Sequence, residues 1–428
     1  LTNNYSLIII SATLLNLKHR KGDATMKRSI IRVIVALGLI CGTVFSAFAE
    51  DELKPNIDFK GSRFSAGYLN SGKNGSYPYG SFQMPDVKLR FNWVMTQDIT
   101  ISTRMKLDNA TFNSLDCFFI DYKNLAAMAV PSLKDSAFNP VIRLGRLKVD
   151  FGEEQLSNDP INGVLISNSA ANVAGYDEGL QLSQSLSKDK LGIPFKWSLS
   201  LTNGNTTTGA DNNQAKALDV KLGALPIPEL YVSGSYYDTG NLGVSTGHLA
   251  PANAEVTYAG LAAAPTNATE WSRTITEIDV RYDLQPGKED RLNPGPPAFS
   301  DSKAFFRGAY GTFDDSGKDK MVPIKKVTAN KGTYYFVEGC YNATEKLYLG
   351  VRYSFISLDK STTFIALNSI TGNNFTGNKY TRISVGPGYR LSANTHIKAE
   401  YMSNVEDVPT GVKKPKIDQY AILFTTLF

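Results

Sequence analysis

The chain has 428 residues and a formal net charge of +5; 42% of it is hydrophobic, 11% aromatic and 20% charged. The charge excess lies in the first 49 residues, where Lys18, Arg20, Lys21, Lys27, Arg28 and Arg32 face the single acid Asp23. The remainder is neutral, so the basic balance gives no reason to expect nucleic acid as a partner. Beyond residue 49 only Cys117 and Cys340 remain, which is no disulfide framework, and no stretch approaches the roughly 18 apolar residues of a spanning helix.

Met26, Lys27 and Arg28 open a basic segment, residues 33–45 are largely apolar, and Ala47-Phe48-Ala49 is a small-x-small cleavage site. Residues 26–49 therefore read as a secretory signal peptide. Residues 1–25 read as an upstream extension, and 50–428 as the exported part. Ile40 before Cys41 is not the small residue that a lipid-attachment site requires.

In the exported part the dominant pattern is alternation. Val87, Leu89, Phe91 and Trp93 interleave with Lys88, Arg90 and Asn92; after residues 95–98, Ile99, Ile101, Met105 and Leu107 interleave with Thr100, Ser102, Arg104 and Lys106. Such period-2 patterning predicts a hairpin with one apolar and one basic face. Similar runs predict sixteen strands, at 57–69, 87–95, 99–107, 115–123, 141–151, 178–187, 195–202, 217–224, 229–237, 274–282, 304–312, 333–342, 347–355, 380–391, 395–403 and 417–428. Odd-numbered connections are mostly long and rich in Gly, Asn, Ser and Thr, whereas most even-numbered ones are short.

That parity is the pattern of long outer loops and short periplasmic turns. The expected fold is all-β, a transmembrane antiparallel β-barrel of about sixteen strands, with fourteen to eighteen as the range. Connections 124–140 and 283–303 break the parity, and a further hairpin around Val256 and Leu261 is the leading addition. In the last strand Tyr420, Ile422, Phe424 and Phe428 share one face with Thr426. A final strand ending this way suits a barrel that closes on its first strand, and the four residues are candidates for the signal read by the barrel assembly machinery.

Residues 141–159, VIRLGRLKVDFGEEQLSND, resemble a passage of the phosphate-selective porin family, in which a strand Gly-x-x-Lys-x-x-Phe-Gly leads into a loop with Glu and a Leu-Ser pair. Here these are Gly145, Lys148, Phe151, Gly152, Glu154, Leu156 and Ser157, with Asp150 where the family usually has Pro. The resemblance implies an outer-membrane porin passing small polar or anionic solutes, phosphate-like ones included. Expected partners are outer-membrane lipid, the assembly machinery and the solutes, with a homotrimer as the assembly and no cofactor or metal.

Taking the face opposite the apolar one as lumenal, the inward bases are Lys60, Lys88, Arg90, Arg104, Lys106, Arg146, Lys148, Lys196, Lys221, Arg281, Arg307, Arg352, Arg382, Arg390 and Lys398. The inward acids are Asp58, Asp150, Asp219, Glu277, Asp279, Glu338, Glu400 and Asp418. Fifteen against eight predicts a positive lumen that concentrates anions. Lys88, Arg90, Arg104, Lys106, Arg146 and Lys148 form one wall, with Arg382 and Arg390 as further pore-lining candidates. Connection 152–177, bearing Glu153, Glu154, Asp159 and Asp177, is the expected constriction loop opposite that wall. The bland alternative is that these charges pair in structural networks.

Two other function classes have weaker support. A barrel that sheathes a partner, as in an electron conduit, would need a haem motif from elsewhere. An enzyme would rest on Gly243-Val244-Ser245-Thr246-Gly247 beside His248, which lacks the strand–turn–helix context of a nucleophile elbow.

Overall fold

In the computed structural model the described residues are 56–428 except 72–78, 109–110, 135, 137–138, 158, 171, 205–214, 243–269, 288–289, 294–296, 319–330, 359–364, 367–375, 378 and 407–415. Sixteen antiparallel strands close on themselves: β1 (Arg63–Asn70), β2 (Ser81–Val94), β3 (Ile99–Asp108), β4 (Thr111–Tyr122), β5 (Val141–Lys148), β6 (Tyr176–Leu186), β7 (Phe195–Thr202), β8 (Ala217–Ile227), β9 (Leu230–Asp238), β10 (Glu270–Leu284), β11 (Ala304–Lys318), β12 (Lys331–Asn342), β13 (Leu347–Leu358), β14 (Lys379–Ser392), β15 (Thr395–Glu406) and β16 (Lys416–Leu427). Each of the sixteen expected segments falls on one of them.

The closing seam is made by the last strand. β16 pairs with β15 on one side and with β1 on the other, from Tyr420 opposite Asn70 to Leu427 opposite Arg63. At its end Phe428 N donates to Ser62 O at 2.8 Å and Phe428 O accepts from Gly61 N at 2.6 Å. Closure leaves no unpaired edge, which is what a sheet in lipid requires. The first expected strand is corrected here: Asn56–Asp58 is a separate short strand on the end of β2, and the chain turns at Gly61 (φ 92°) before β1 begins.

Alternation is cleanest from β10 to β16. On β10, Arg273, Ile275, Glu277, Asp279, Arg281 and Asp283 are buried inside, while Ile278, Val280 and Tyr282 are exposed outside. Tyr420, Ile422 and Phe424 likewise face out, and Asp418, expected inside, shares their outer phase. An outer surface this apolar is stable against hydrocarbon and not against water. Among the described residues no helix is long and apolar enough to cross a membrane.

Connections 124–140 and 285–303 carry short helical turns, Leu125–Ala129, Pro131–Leu133 and Pro297–Phe299, and no added strand pair among their described residues. The hairpin expected near Val256 and Leu261, the Ser245 motif with His248, and residues 1–55 lie outside the described residues.

Candidate functional site

The lumen is organised by residues 149–175, the connection between β5 and β6. Its root is closed by Val149 N donating to Gly175 O at 3.0 Å. From there the chain runs inside the barrel, and two glycines of the family-like motif make this possible. Gly145 has φ 131°, and a Cβ there would lie 2.4 Å from Phe118 O; Gly152 has φ 66°, and a Cβ there would lie 2.2 Å from Glu277 Oε1. Neither position accepts a side chain without displacing its neighbour.

One side of the loop is apolar. Val149, Phe151, Ala170 and Val173 form one buried cluster with Ala217, Tyr237, Ile275, Phe313, Tyr334, Ile356 and Tyr380 of β8–β14. Burying a Val or Phe side chain contributes about 1.5–3 kcal/mol, so this contact alone holds the loop against that wall.

Polar anchors then follow the loop around the barrel. Lys221 Nζ contacts Asp150 Oδ1 at 3.1 Å and Glu153 Oε1 at 3.0 Å, and Lys196 meets the same Glu153 oxygen at 3.0 Å. Tyr231 OH donates to Glu153 at 2.5 Å, and Arg307 donates to Ser157 Oγ at 2.7 Å. Near the loop's lowest point Lys398 Nζ donates to the carbonyls of Pro160 and Ile161 at 2.8 Å and of Gly163 at 2.5 Å. Glu400 accepts from Ile166 N, Ser167 N and Ser167 Oγ, each at 2.6 Å. Arg352 donates to Ser167 O at 2.6 Å, and Arg382 to Asn168 O at 3.2 Å.

The expected constriction residues therefore have four different fates. Glu153 answers Lys196 and Lys221 on β7 and β8. Glu154 accepts from Ser169 N at 2.8 Å and Ser169 Oγ at 2.6 Å, tying the two limbs of the loop together. Asp159 shapes the loop's turn by accepting from Asn162 N and pairs with Arg63 Nη1 at 2.7 Å. Asp177 is not in the loop: it lies on β6, fully buried, accepting from Gly204 N at 2.6 Å. Of the four, Asp159 is the one that faces the six-residue wall, with Lys88 and Lys148 among its charged neighbours, while Glu153, Glu154 and Asp177 are engaged elsewhere, so the expected opposition of acidic loop and basic wall narrows to one acid.

The wall itself is partly as expected. Lys88 stands opposite Lys106 and Arg90 opposite Arg104, all inward with the buried Asn92 and Ser102. Arg146 is a correction, because it pairs with Phe118 on the outer phase and bridges to Glu178 Oε1 at 2.8 Å. The apolar residues of β5 were expected to meet lipid, but Leu147 and Val149 turn inward because the loop creates an apolar core inside the barrel. Lys148 shares the phase of Arg146. Beyond the last β4 pairing, however, β5 bends in, and Lys148 Nζ donates to Gln155 O at 2.5 Å. Its charged neighbours are Asp159, Arg104, Arg63 and Lys88.

Arg104 also bonds Tyr176 OH on β6. The inward side chains thus fall into two groups. One, towards β8–β15, packs on the loop. The other, an arc along β1–β4 and the β5–β6 hairpin that we call the crescent, holds Arg63, Lys88, Arg90, Arg104, Lys106 and Lys148.

Three carboxylates in the crescent escaped the sequence reading or its pairing. Asp86 bridges Arg63 at 2.8 Å and Lys88 at 3.5 Å, while Asp116 bridges Lys88 at 3.0 Å and Arg104 at 3.3 Å. Asp86 lies in the phase of Lys88, a signal that a strand begun one residue earlier would have caught. Asp116 carries no such signal. The β3–β4 register slips between Arg104 and Met105, so Asp116 is bulged out of the pairing and turns in with Cys117. Arg63, also missed, joins Asp86 to Asp159.

Arg382 is fully buried and spent on Asn404, Tyr380 and the loop. Arg390 donates to Ala298 O and Ser300 O of connection 285–303. Cys117 and Cys340 are free thiols, buried on β4 and β12. His396 is buried between the rings of Phe299 and Tyr348. Among the described residues no group of His, Cys, Asp or Glu has the makings of a metal site.

No protein-family model matches the sequence, and no curated protein matches it. Solved structures do match the fold. The outer membrane channel DcaP of Acinetobacter baumannii has a TM-score of 0.56 at 12% identity, covering 89% of this chain and 99% of its own. An anion-selective porin from Comamonas acidovorans has 0.52 at 8%, covering 88% and 100%, and the trimer form of OmpT, an outer membrane protein of Vibrio cholerae, 0.51 at 10%, covering 88% and 100%. At such identities the likeness speaks for the fold, and the chain is a closed sixteen-stranded antiparallel β-barrel of the outer-membrane porin type.

Proposed function

We propose that the chain is an outer-membrane channel for passive diffusion of small polar solutes, with anions preferred and phosphate-like ions among the candidates. The conducting space is the crescent between the β5–β6 hairpin and β1–β4. The observation that carries this reading is the unequal division of charge. In the crescent six cations (Arg63, Lys88, Arg90, Arg104, Lys106, Lys148) meet three carboxylates (Asp86, Asp116, Asp159). In the filled part the five cations Arg273, Arg281, Arg291, Arg307 and Arg352 are met by five carboxylates, Asp315, Asp283, Glu338, Glu154 and Glu400. The surplus positive charge therefore stands beside the space left for solute. Reversal potentials of the purified protein in planar bilayers under a KCl gradient test this, and cation selectivity at low salt would sink it.

The proposed orientation has Glu50 and Phe428 on the periplasmic side and segments 238–273 and 356–379 outside. Lipid and the assembly machinery are the partners, a homotrimer is the assembly, and no catalytic role or cofactor is proposed. A barrel sheathing a partner is disfavoured, because loop 149–175 occupies the space such a partner would thread.

Phe428 leaves 64% of its surface exposed while its backbone closes the seam. We expect Phe428→Ala to keep those backbone bonds and yet lower the folded amount in the outer membrane, through loss of the aromatic signal. A change in segment 203–216 should have far less effect. Equal yields of heat-modifiable barrel from the two variants would count against the signal.

The loop's acids set a pH window. Burial alone would raise the Asp150 carboxyl, but Lys221 and Lys196 hold it down at about 2. Against the same burial, Lys221 and Lys196 also lower Glu153, and Arg63 lowers Asp159. Groups depressed in the packed state stabilise it fully above their ordinary carboxylate range, about 4, and lose that contribution as pH falls through the depressed values. Loss of these three contributions should therefore raise conductance only on acidification below about 4. Conductance that stays flat through that range in the folded barrel would refute this account of the acids.

A further inference from the structure

We propose that the described residues 290–293 and 297–303 of the connection between β10 and β11 form a strap that bars the filled half of the lumen from the short-turn end, so that solute size is set by the crescent alone. This rests on the channel reading above. At the same end residues 228–229 and 393–394 suffice to join β8 to β9 and β14 to β15. The added length of the strap does not serve chain reversal; it runs into the barrel. Leu292 is buried with Leu225 and Tyr231, Pro297 and Ala298 are buried, and the Phe299 ring lies 4.6 Å from that of His396.

The strap also meets the loop from below. Ala298 N donates to Asn162 O at 3.0 Å, next to the carbonyls held by Lys398. Pro297 and Leu156 help line a cavity of about 20 Å³ with Glu153, Tyr231 and Arg307, room for about one water molecule. Arg390 is the strap's clamp: its guanidinium serves Ala298 O and Ser300 O and lies 4.7 Å from the Tyr348 ring.

The seat is not fully compensated. Among the described residues neither ring nitrogen of the buried His396 meets a hydrogen-bond partner, nor does the Tyr348 hydroxyl. Buried polar groups left so cost about 1–3 kcal/mol each, and lifting the strap would return them to water. The closed seat therefore depends on the Arg390 clamp and the Phe299 contact.

Cys340 is a native reporter for the filled half, packed beneath Val164 and Leu165 of the loop with Phe305 and Tyr348. The test compares the unmodified protein with Arg390→Ala and Phe299→Ala, each refolded and checked for heat-modifiability, by iodoacetamide labelling at Cys340 and by single-channel recording. Phe299 lies in no strand, so its variant keeps the barrel's pairing if Arg390→Ala fails to fold. Losing a charge-assisted clamp should speed Cys340 labelling by about tenfold or more and add a second, larger conductance level. Unchanged labelling and conductance in folded variants overturn the strap, and so does either change without the other. An unmodified protein that conducts nothing sinks the channel reading instead, while the labelling arm still reads the strap.

Discussion

Glu400→Ala should release the middle of the inserted loop and convert the protein into a wider, noisier channel. The carboxylate of Glu400 receives two backbone N–H groups and one hydroxyl from Ile166 and Ser167, each at 2.6 Å, in a site almost closed to solvent. Truncation leaves two buried amides without an acceptor and leaves Arg352 with one carboxylate fewer nearby. Removing one member of such a buried charged set costs about 3–5 kcal/mol, which shifts a seated-to-released ratio by roughly 10² to 10³. The apolar seat at Val149 and Phe151 and the Lys398 clamp stay intact, so release should be local to 164–170. Limited proteolysis should then cut the loop in the folded barrel, and single-channel traces should show larger, fluctuating levels. A variant that folds with unchanged conductance and an uncut loop would show that Glu400 does not hold it.

The second large effect is on selectivity. Arg90→Glu with Lys106→Glu should turn the anion preference into a cation preference. Both residues face the crescent, and neither takes part in the Asp86–Arg63–Asp159 bridge that ties loop to wall. Arg90 now donates to Asn92 at 2.8 Å, so the exchange costs a neutral contact rather than a buried ion pair. Two charges reverse sign beside the path, a net change of four units that takes six cations against three carboxylates to four against five. At about 1 kcal/mol per charge at 4 Å in bulk-like solvent, a few charges acting together exceed the 1.4 kcal/mol that makes a tenfold preference. The difference between the two proteins should shrink in 1 M salt, where screening reaches only about 3 Å. Equal reversal potentials at low salt would place selectivity elsewhere, with Lys88 and Arg104 the next pair to exchange.

What alternation carried was the wall. Each of the sixteen strands, the short turns and the closure of β16 on β1 could be read from residues such as Leu89, Trp93, Ile422 and Phe424, because a strand in lipid must turn every second side chain to hydrocarbon. The inward phase of Lys88, Arg90, Arg104 and Lys106 followed from the same rule. The rule failed where the chain leaves the wall. Leu147, Val149 and Phe151 look like lipid-facing residues, yet the inserted loop gives them an apolar core inside the barrel, and this puts Arg146 on the other phase. Asp116 could not be placed because a bulge changes phase without any mark in the residue pattern.

Pairing was the other thing withheld. That loop 149–175 carries acids is plain from its residues, but Glu153 meets Lys196 and Lys221, and Asp159 meets Arg63, across separations set only by the closed barrel. Periodicity is local and was sufficient for the sheet. The division of the lumen into a filled half and a charged crescent depends on contacts between residues as distant in the chain as Asn162 and Ala298, or Ser167 and Glu400. Those contacts are fixed by the tertiary fold, because a loop's direction is decided by which of many buried partners together best offset its desolvation.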